Sequence, residues 1–379
     1  MNYFVFKNGI KCIKAIFHPK LNNIIPLASK SSNSYFCRNK LQLNISGNHP
    51  LLTVLMPNYN NEKFLNEAIE SVLQQSYKDF IFLIIDDGST DKSTAIIKSY
   101  SDLRIKLILK ETNTGIEDTL NIGLKEIYTK YFIRMDGDDI SLPNRFKLLV
   151  EYMENNPDIG VCGTHIKIFG HTNEIWRQEL NSDKILAKFI YASGVTHAPS
   201  IFRTKVLKDN QIHYRKIFPQ LEDYDLFFRL KKITKFKHID QVLYGYRVLD
   251  HNVTVVHRKS QNIRYKEFYK MVLNELQIEA TENNLNLHIQ YFLNEPLKMP
   301  LKHLYEYKNK IISANSSLMV YPEKELLAVT NEKWNSLFFK VTDLNLQTII
   351  NYFYLSKKVK IEQLLYLIKC KLNKLFGRK

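Results

Sequence analysis

The sequence predicts a doubly wound, mostly parallel α/β sheet followed by a helical region. Between residues 51 and 155, short apolar segments alternate with segments whose apolar residues recur at helical spacing. One apolar segment, 80–85, contains no polar residue, which is typical of a strand buried on both faces of a parallel sheet. After residue 258 the chain contains only four Pro and Gly residues in total, which favours helices.

Each element of the first part is predicted from its own pattern. The predicted order is strand 51–56, helix 64–73, strand 80–85, helix 92–100, strand 104–109, helix 116–128, strand 131–135 and helix 143–155. Pro143 suits the first turn of the last helix, because the N–H that proline lacks is not needed there. This alternation of strands and helices predicts the parallel sheet with helices on both faces.

The pattern from residue 159 to 250 is less regular. We expect short strands near Val161 and Ile166, helices over 182–191 and 222–231, and a strand over 241–247. The chain therefore divides into a basic N-terminal extension over 1–48, an α/β domain over 49–257, and a helical region over 258–379 that ends in a basic amphipathic tail.

The net charge of +16 is concentrated at the two ends of the chain. Residues 1–48 hold seven basic residues and no acidic one, and residues 356–379 hold eight basic residues and one acidic one. Residues 49–355, which lie between these ends, have nearly equal numbers of basic and acidic residues. A positive excess indicates an anionic partner such as nucleic acid, anionic lipid or a phosphorylated substrate.

Several function classes are excluded by missing signals. The four cysteines are far apart and form no CxxC, which excludes a disulfide scaffold and a Cys-rich zinc site. No GxGxxG and no GxxxxGK[ST] occurs, so a dinucleotide fingerprint and a Walker A loop are missing. No apolar run approaches 18 residues, so no membrane-spanning helix is predicted.

Polar clusters follow three of the predicted strands, at 57–60, 86–91 and 136–139. Ligands of open α/β sheets bind at the carboxyl ends of the strands, so we expect these clusters to form one site. Three carboxylates within 136–139 repel one another unless a cation compensates them, and carboxylate oxygens suit Mn²⁺ or Mg²⁺. Such a site implies a phosphate-bearing substrate. A single cluster of this kind could be ordinary turn chemistry.

The motifs together resemble the family 2 glycosyltransferases, which have the GT-A fold. The resemblance rests on Pro57-Asn58-Tyr59-Asn60, Asp86-Asp87-Gly88-Ser89-Thr90-Asp91, Asn113-Thr114-Gly115, Arg134-Met135-Asp136-Gly137-Asp138-Asp139, Pro143-x-Arg145 and Glu222-Asp223-Tyr224-Asp225-Leu226-Phe227. It covers residues 50–250 approximately. Each motif is short, and their common order and spacing make the match specific.

The resemblance implies a nucleotide-sugar donor, usually a UDP-sugar, and inversion at the anomeric carbon. The residues that it assigns to the donor are Pro57, Tyr59 and Asp87 around the nucleoside, Asn113 and Gly115 beside the uracil, and Asp136 and Asp138 as the acidic pair that faces ribose and metal, with Asp139 extending that cluster. The expected cofactor is Mn²⁺ or Mg²⁺.

The resemblance also implies residues for the transfer step. Asp223 would be the catalytic base and Glu222 would shape the acceptor site, although both could merely begin a helix. His197 would lie on the acceptor side, with a structural hydrogen-bonded histidine as the alternative. His251 is the first candidate for a histidine ligand of metal or phosphate, and His257 is the second.

These observations predict an inverting, metal-dependent glycosyltransferase that acts on a glycan or lipid-linked acceptor, as in surface polysaccharide biosynthesis. A nucleotidyltransferase acting on a sugar phosphate and a non-catalytic GT-A-like binding module are the alternatives. In the tail, apolar residues recur at helical spacing among lysines over 359–376. This helix either binds an anionic membrane surface or packs on the domain. The expected location is the cytoplasm or the inner face of the cytoplasmic membrane, and no nucleic-acid motif is present.

Overall fold

The computed structural model describes residues 36–37, 50–248, 258–293, 298–339, 346–357 and 360–375. The strands are β1 (Phe36–Cys37), β2 (Leu52–Asn58), β3 (Phe80–Asp86), β4 (Ile105–Leu109), β5 (Tyr131–Arg134), β6 (Ile140–Ser141), β7 (Ile159–Gly170), β8 (Glu174–Trp176), β9 (Ile201–Arg203) and β10 (Lys235–Val248).

Helices alternate with these strands up to residue 230 and then continue alone after β10. They are α1 (Leu65–Leu73), α2 (Ser93–Ser99), α3 (Ile116–Glu126), α4 (Arg145–Asn155), α5 (Ser182–Lys188), α6 (Thr204–Asp209), α7 (Glu222–Leu230), α8 (Arg258–Glu275), α9 (Glu282–Phe292), α10 (Leu301–Leu318), α11 (Glu323–Phe338), α12 (Leu346–Ser356) and α13 (Ile361–Leu375).

The strands form one mixed sheet in the order β1-β4-β3-β2-β5-β9-β7-β10-β6, with β8 paired to β7. Strand β2 lies parallel to β3 and to β5, β3 lies parallel to β4, and β7 lies parallel to β10. Strand β9 is antiparallel to both of its neighbours, β5 and β7. The predicted sheet is thus confirmed, with the antiparallel β9 joining its two parallel parts.

Both faces of the sheet are covered by helices. Two successive residues of β2, Val54 and Leu55, belong to two different apolar cores, because successive side chains of a strand point to opposite faces. The core that contains Val54 includes apolar residues of α1, α2 and α4, and the core that contains Leu55 includes those of α3, α5 and α7. This arrangement confirms the doubly wound prediction.

Several details differ from the sequence prediction. Strand β7 is one continuous strand where two short ones were expected, and β10 begins at Lys235, six residues before the predicted 241. Strand β9 was not predicted, because three residues are too few to show a period. Pro143 lies in the turn before α4 and not in its first turn, because Asn144 adopts a left-handed conformation (φ 65°) and the helix begins only at Arg145.

The helices after β10 pack on the sheet face that carries α5 and α7. The ring of Phe268 on α8 stacks on Tyr224 of α7 with centroids 4.0 Å apart. His288 on α9 lies with Nε2 2.8 Å from the carbonyl oxygen of Ile190. The helical C-terminal region is therefore confirmed, whereas the limits of the extension at 48 and of the α/β domain at 257 stay predictions.

The last helix, α13, is oriented by a polar side chain. Gln363 is completely buried and donates a hydrogen bond from Nε2 to the hydroxyl of Tyr352, 3.0 Å away. On the opposite side of the helix, Ile361, Leu365 and Ile368 are 78%, 60% and 55% exposed. Among the described helices, none combines the length and hydropathy that crossing a membrane requires.

Candidate functional site

The carboxyl ends of β2, β3 and β5 border a cleft of about 290 Å³. Its lining is formed by Pro57, Asn58, Tyr59, Asn61, Asp87, Asn113, Gly115, Ile116, Thr119, Asp136, Gly137 and Asp138. The structure therefore brings together every described residue that the sequence assigned to donor and metal, except Asp139, which does not line the cleft. His251 and His257 lie outside the described residues.

Asp87 is held at the floor of the cleft by groups of one loop. The backbone N–H groups of Thr114 and Gly115 donate to its two carboxylate oxygens, each at 3.0 Å. Lys110, which is buried, forms an ion pair with the same carboxylate and also donates to the hydroxyl of Thr119 at 2.9 Å. The carboxylate of Asp87 is therefore fixed in orientation, and its charge is compensated by Lys110.

Neighbouring Asp86 supports the loops and does not line the cleft. Its Oδ1 accepts hydrogen bonds from Asn58 Nδ2 and from the hydroxyl of Ser89, both at 2.7 Å. Between Asp87 and Ser89, Gly88 has φ +70°, and a Cβ atom there would lie 2.7 Å from the backbone carbon of Thr112. Only glycine fits this close approach, which sets the position of the loop that carries Asn113.

The acidic turn contributes two carboxylates to the cleft. Asp136 accepts a hydrogen bond from Arg134 Nε at 2.9 Å. Burial, and then repulsion from Asp136, raise the pKa of Asp138 to about 6, although Arg247 and Arg134 act in the opposite direction. Negative charge at Asp138 is therefore only partly compensated by the protein.

Asp139 belongs to the support of this turn. It is 1% exposed and accepts hydrogen bonds from the hydroxyl of Tyr244 at 2.6 Å and from the backbone N–H of Arg247 at 2.8 Å. The guanidinium of Arg247 also donates to the carbonyl oxygen of Asp138 at 2.8 Å. Arg145 is buried beneath the turn and donates to the carbonyl oxygen of Arg134 at 3.1 Å. These contacts tie the turn to β10 and α4.

The predicted base lies beside the acidic turn. Asp223 is in the first turn of α7, and its Oδ1 accepts a hydrogen bond from Arg134 Nη1 at 3.3 Å, so that one guanidinium joins Asp136 and Asp223. Burial raises the pKa of Asp223 to about 6, which Arg134 opposes. Burial and the charge of Asp223 also raise the pKa of Glu222, whose Oε2 is buried without a hydrogen-bond partner in the described structure.

His197 is buried beside this pair. It is 2% exposed, its Nε2 shares a hydrogen bond with the hydroxyl of Tyr214, and the same nitrogen lies 4.0 Å from Asp223 Oδ1. Burial and the charge of Arg134 lower its pKa well below the usual range, so the ring is neutral. This environment favours the structural alternative for His197.

Sequence reasoning missed two residues of this arrangement, Tyr214 and Arg247, and the contact of Arg134 with Asp223. The hydrogen bond from Arg134 to Asp223 connects residues 89 positions apart, and the position of Arg134 two residues before Asp136 was the available signal for the bridge. Tyr214 and Arg247 lie outside the short motifs, and no local pattern marks them.

Three comparisons with known proteins bear on this site. Residues 53–213 match the sequence profile described as Glycosyl transferase family 2. An uncharacterised glycosyltransferase of Methanocaldococcus jannaschii is 34% identical over 208 residues, which cover 52% of this chain and 71% of the relative. WfgD of Escherichia coli, named as a UDP-Glc:alpha-D-GlcNAc-diphosphoundecaprenol beta-1,3-glucosyltransferase, is 26% identical over 266 residues, which cover 68% of this chain and 97% of the relative.

A solved structure supports the fold alone. TarS residues 1–349 of S. aureus, in complex with UDP-GlcNAc, align with a TM-score of 0.52 at 19% identity. The alignment covers 81% of this chain and 90% of TarS 1–349. The fold is the GT-A fold that the sequence motifs implied.

Proposed function

Because the chain belongs to the family 2 glycosyltransferases, we propose that it moves a sugar, with inversion, from a UDP-sugar to a hydroxyl group of a glycan or lipid-linked acceptor. The observation that carries this proposal is the bridge from Asp136, in the cleft, through Arg134 to Asp223. It connects the cleft of about 290 Å³ to a carboxylate that can accept a proton.

The nucleoside would lie in the part of the cleft formed by Pro57, Tyr59 and Asp87. Tyr59 is 44% exposed, so its ring is available for contact with a ligand. Asp87 would accept hydrogen bonds from the base or ribose in an orientation already set by Thr114 and Gly115. Asn113 and Gly115 would lie beside the uracil.

Asp136 and Asp138 fit a divalent cation. Both line the cleft, and the raised pKa of Asp138 indicates carboxylates whose repulsion the protein leaves partly uncompensated. Within the described residues no group of three His, Cys, Asp or Glu side chains forms a cation site. Two carboxylates suffice for Mn²⁺ or Mg²⁺ when substrate phosphates and water supply the other ligands. When bound, the cation would neutralise charge on the departing diphosphate.

Asp223 would take the proton of the acceptor hydroxyl. Inversion in one displacement needs a single base opposite the departing group, and a carboxylate with a pKa near 6 is ionised at neutral pH. Arg134 would hold Asp223 in place and keep it ionised. Glu222 lies next to it with one buried, unpartnered oxygen, which suits a hydrogen bond from an acceptor hydroxyl.

A lipid-linked acceptor would place the enzyme at the inner face of the cytoplasmic membrane. The name of WfgD describes an acceptor of this class, and this chain exposes apolar side chains on α13 within a basic tail. We propose that the tail holds the protein on an anionic membrane surface as a peripheral protein.

The proposal is tested by incubating the full chain with a panel of nucleotide sugars and Mn²⁺ and by measuring the released nucleotide. We expect UDP from one or a few of them. A parallel incubation with UTP and sugar 1-phosphates tests the alternative, because a nucleotidyltransferase would join these two and release pyrophosphate. Asp223→Asn should stop the reaction, whereas the control Asp209→Asn, which removes an exposed carboxylate of α6, should not. No release with any donor would contradict the proposal.

A further inference from the structure

A second cavity lies in the C-terminal helical region, outside the donor cleft. Its volume is about 510 Å³, and it is formed by residues of α10, α11 and α12 together with the segment that leads into α13. The lining includes Tyr305, Lys308, Asn331, Trp334, Asn335 and Lys360. It combines two ammonium groups and two amides with aromatic rings, and it contains no carboxylate.

Lys308 is the unusual member of this lining. It is 7% exposed, and among the described residues no carboxylate forms an ion pair with it. Its Nζ lies 5.5 Å from the centre of the Tyr305 ring, and burial lowers its pKa. A buried cation is unfavourable unless it is paired, so the cavity favours an anionic ligand.

The walls of the cavity are held in place by aromatic packing. Trp334 stacks on Tyr352 with ring centroids 5.2 Å apart, and its Nε1 donates to the hydroxyl of Ser356 at 2.8 Å. Tyr305 meets Trp334 edge to face. A cavity with a rigid wall requires little reorganisation when a ligand enters.

The edge of the cavity borders the exposed apolar surface of the tail. Lys360 lines the cavity, directly precedes α13 and forms an ion pair with Glu362 at 3.5 Å. The next residue, Ile361, is 78% exposed, and Tyr354 in the last turns of α12 is 80% exposed. An amphiphile with an anionic head and an apolar body would match both surfaces at once.

We propose that this cavity binds the phosphate of an anionic membrane lipid while the exposed apolar side chains of α13 enter the lipid interface. The proposal deepens the membrane association proposed above, on which it rests. Charge complementarity supports a lipid headgroup, because Lys308 has no ion-pair partner among the described residues, lines the same cavity as Lys360, and the sequence of α13 carries further lysines. Binding of this kind needs neither donor nor acceptor sugar.

The test uses co-sedimentation of the full chain with phosphatidylcholine vesicles that do or do not contain phosphatidylglycerol. Lys308→Met should weaken binding to the anionic vesicles by about tenfold or more, because a charge-assisted contact is lost inside a cavity. Lys310→Met removes the same charge from an exposed position of the same helix and should weaken binding by no more than about fivefold. Equal losses in the two variants would overturn the headgroup site.

Two further measurements separate the remaining outcomes. Glycerol 1-phosphate should raise the melting temperature of the wild type and not that of Lys308→Met. If glycerol 1-phosphate raises the melting temperature of the wild type but the wild type does not bind anionic vesicles, the ligand is a soluble phosphate and the lipid is excluded. Wild type that binds neither probe overturns both the headgroup site and the membrane association, and leaves the glycosyl transfer, measured by UDP release, unaffected.

Discussion

The donor cleft and the C-terminal cavity leave charges of opposite sign uncompensated. In the cleft the cations are satisfied, since Lys110 pairs with Asp87 and Arg134 pairs with Asp136 and Asp223. The excess there is negative and resides on Asp138, whose pKa is raised by burial and by repulsion from Asp136. In the C-terminal cavity the charge is positive, since Lys308 is only 7% exposed and has no ion-pair partner among the described residues.

This difference indicates what each region is suited to bind. A buried charge that the fold does not pair costs free energy, and a ligand of opposite charge recovers part of that cost. The cleft therefore suits a cation held together with a diphosphate, and the cavity suits an anion. The net charge of +16 describes neither region, because the sign of the local excess changes between them.

The largest expected effect comes from removing Asp223, the proposed base beside the cleft. Asp223→Asn should lower kcat by about a hundredfold or more, because proton removal from the acceptor is lost, with donor affinity changed by less than about twofold. Steady-state kinetics would measure kcat, and calorimetric titration with the UDP-sugar would measure the donor affinity. Turnover close to that of the wild type would remove Asp223 from the mechanism and leave the cleft without a base.

The next effect concerns the negative excess of the cleft. Asp138→Asn should weaken binding of the UDP-sugar in the presence of Mn²⁺ by about tenfold, because one of two carboxylate ligands is lost. Binding without metal should change little and serves as the control. If Mn²⁺ strengthens donor binding equally in variant and wild type, the acidic turn does not hold the cation.

A smaller effect is expected from pH. Asp223 must be ionised to accept a proton, and its pKa is raised to about 6, so kcat at saturating donor and Mn²⁺ should fall as the pH drops through about 6. Arg134→Gln removes the group that lowers this pKa, so the decline should begin at higher pH. If kcat stays constant down to pH 5, or if Arg134→Gln does not shift the pH at which kcat falls, the proposed effect of Arg134 on the pKa of Asp223 is contradicted.

The smallest effect is expected on the exposed face of the tail. Leu365→Ser should change the free energy of unfolding by less than about 0.5 kcal/mol, because Leu365 is 60% exposed. Leu367→Ser on the same helix should cost more, since Leu367 packs against the core. Chemical denaturation of both variants measures the contrast. Equal losses would mean that the apolar surface of α13 contributes to the fold itself.

The cleft could be predicted from the sequence because its residues directly follow strands. Residues after β2, β3 and β5 meet at one edge of a parallel sheet independently of the rest of the chain. The strand pattern alone was therefore enough to predict that Tyr59, Asp87 and Asp136 lie together. The bridge from Arg134 to Asp223 and the contact of Tyr214 with His197 could not be predicted in this way. They depend on the placement of α7 and β9 in three dimensions.

The tail shows the other limit of a sequence pattern. Spacing predicts that 359–376 is a helix with one apolar stripe, and the structure has α13 at Ile361–Leu375. The usual expectation is that such a stripe faces the core. Here the buried side carries Gln363, because the hydroxyl of Tyr352 offers it a hydrogen bond, and a contact with a distant residue leaves no trace in local periodicity.

The stacking of Phe268 on Tyr224 links the C-terminal helices to the residue next to Asp223. A chain shortened after residue 257 would lose that ring, and with it the apolar cover of one side of α7. One side of α7, the helix that carries Asp223, would then be exposed to water and would lose the packing that keeps the helix in position. Helix α8 thus supports the helix that carries Asp223, and we expect a minimal active fragment to include at least α8.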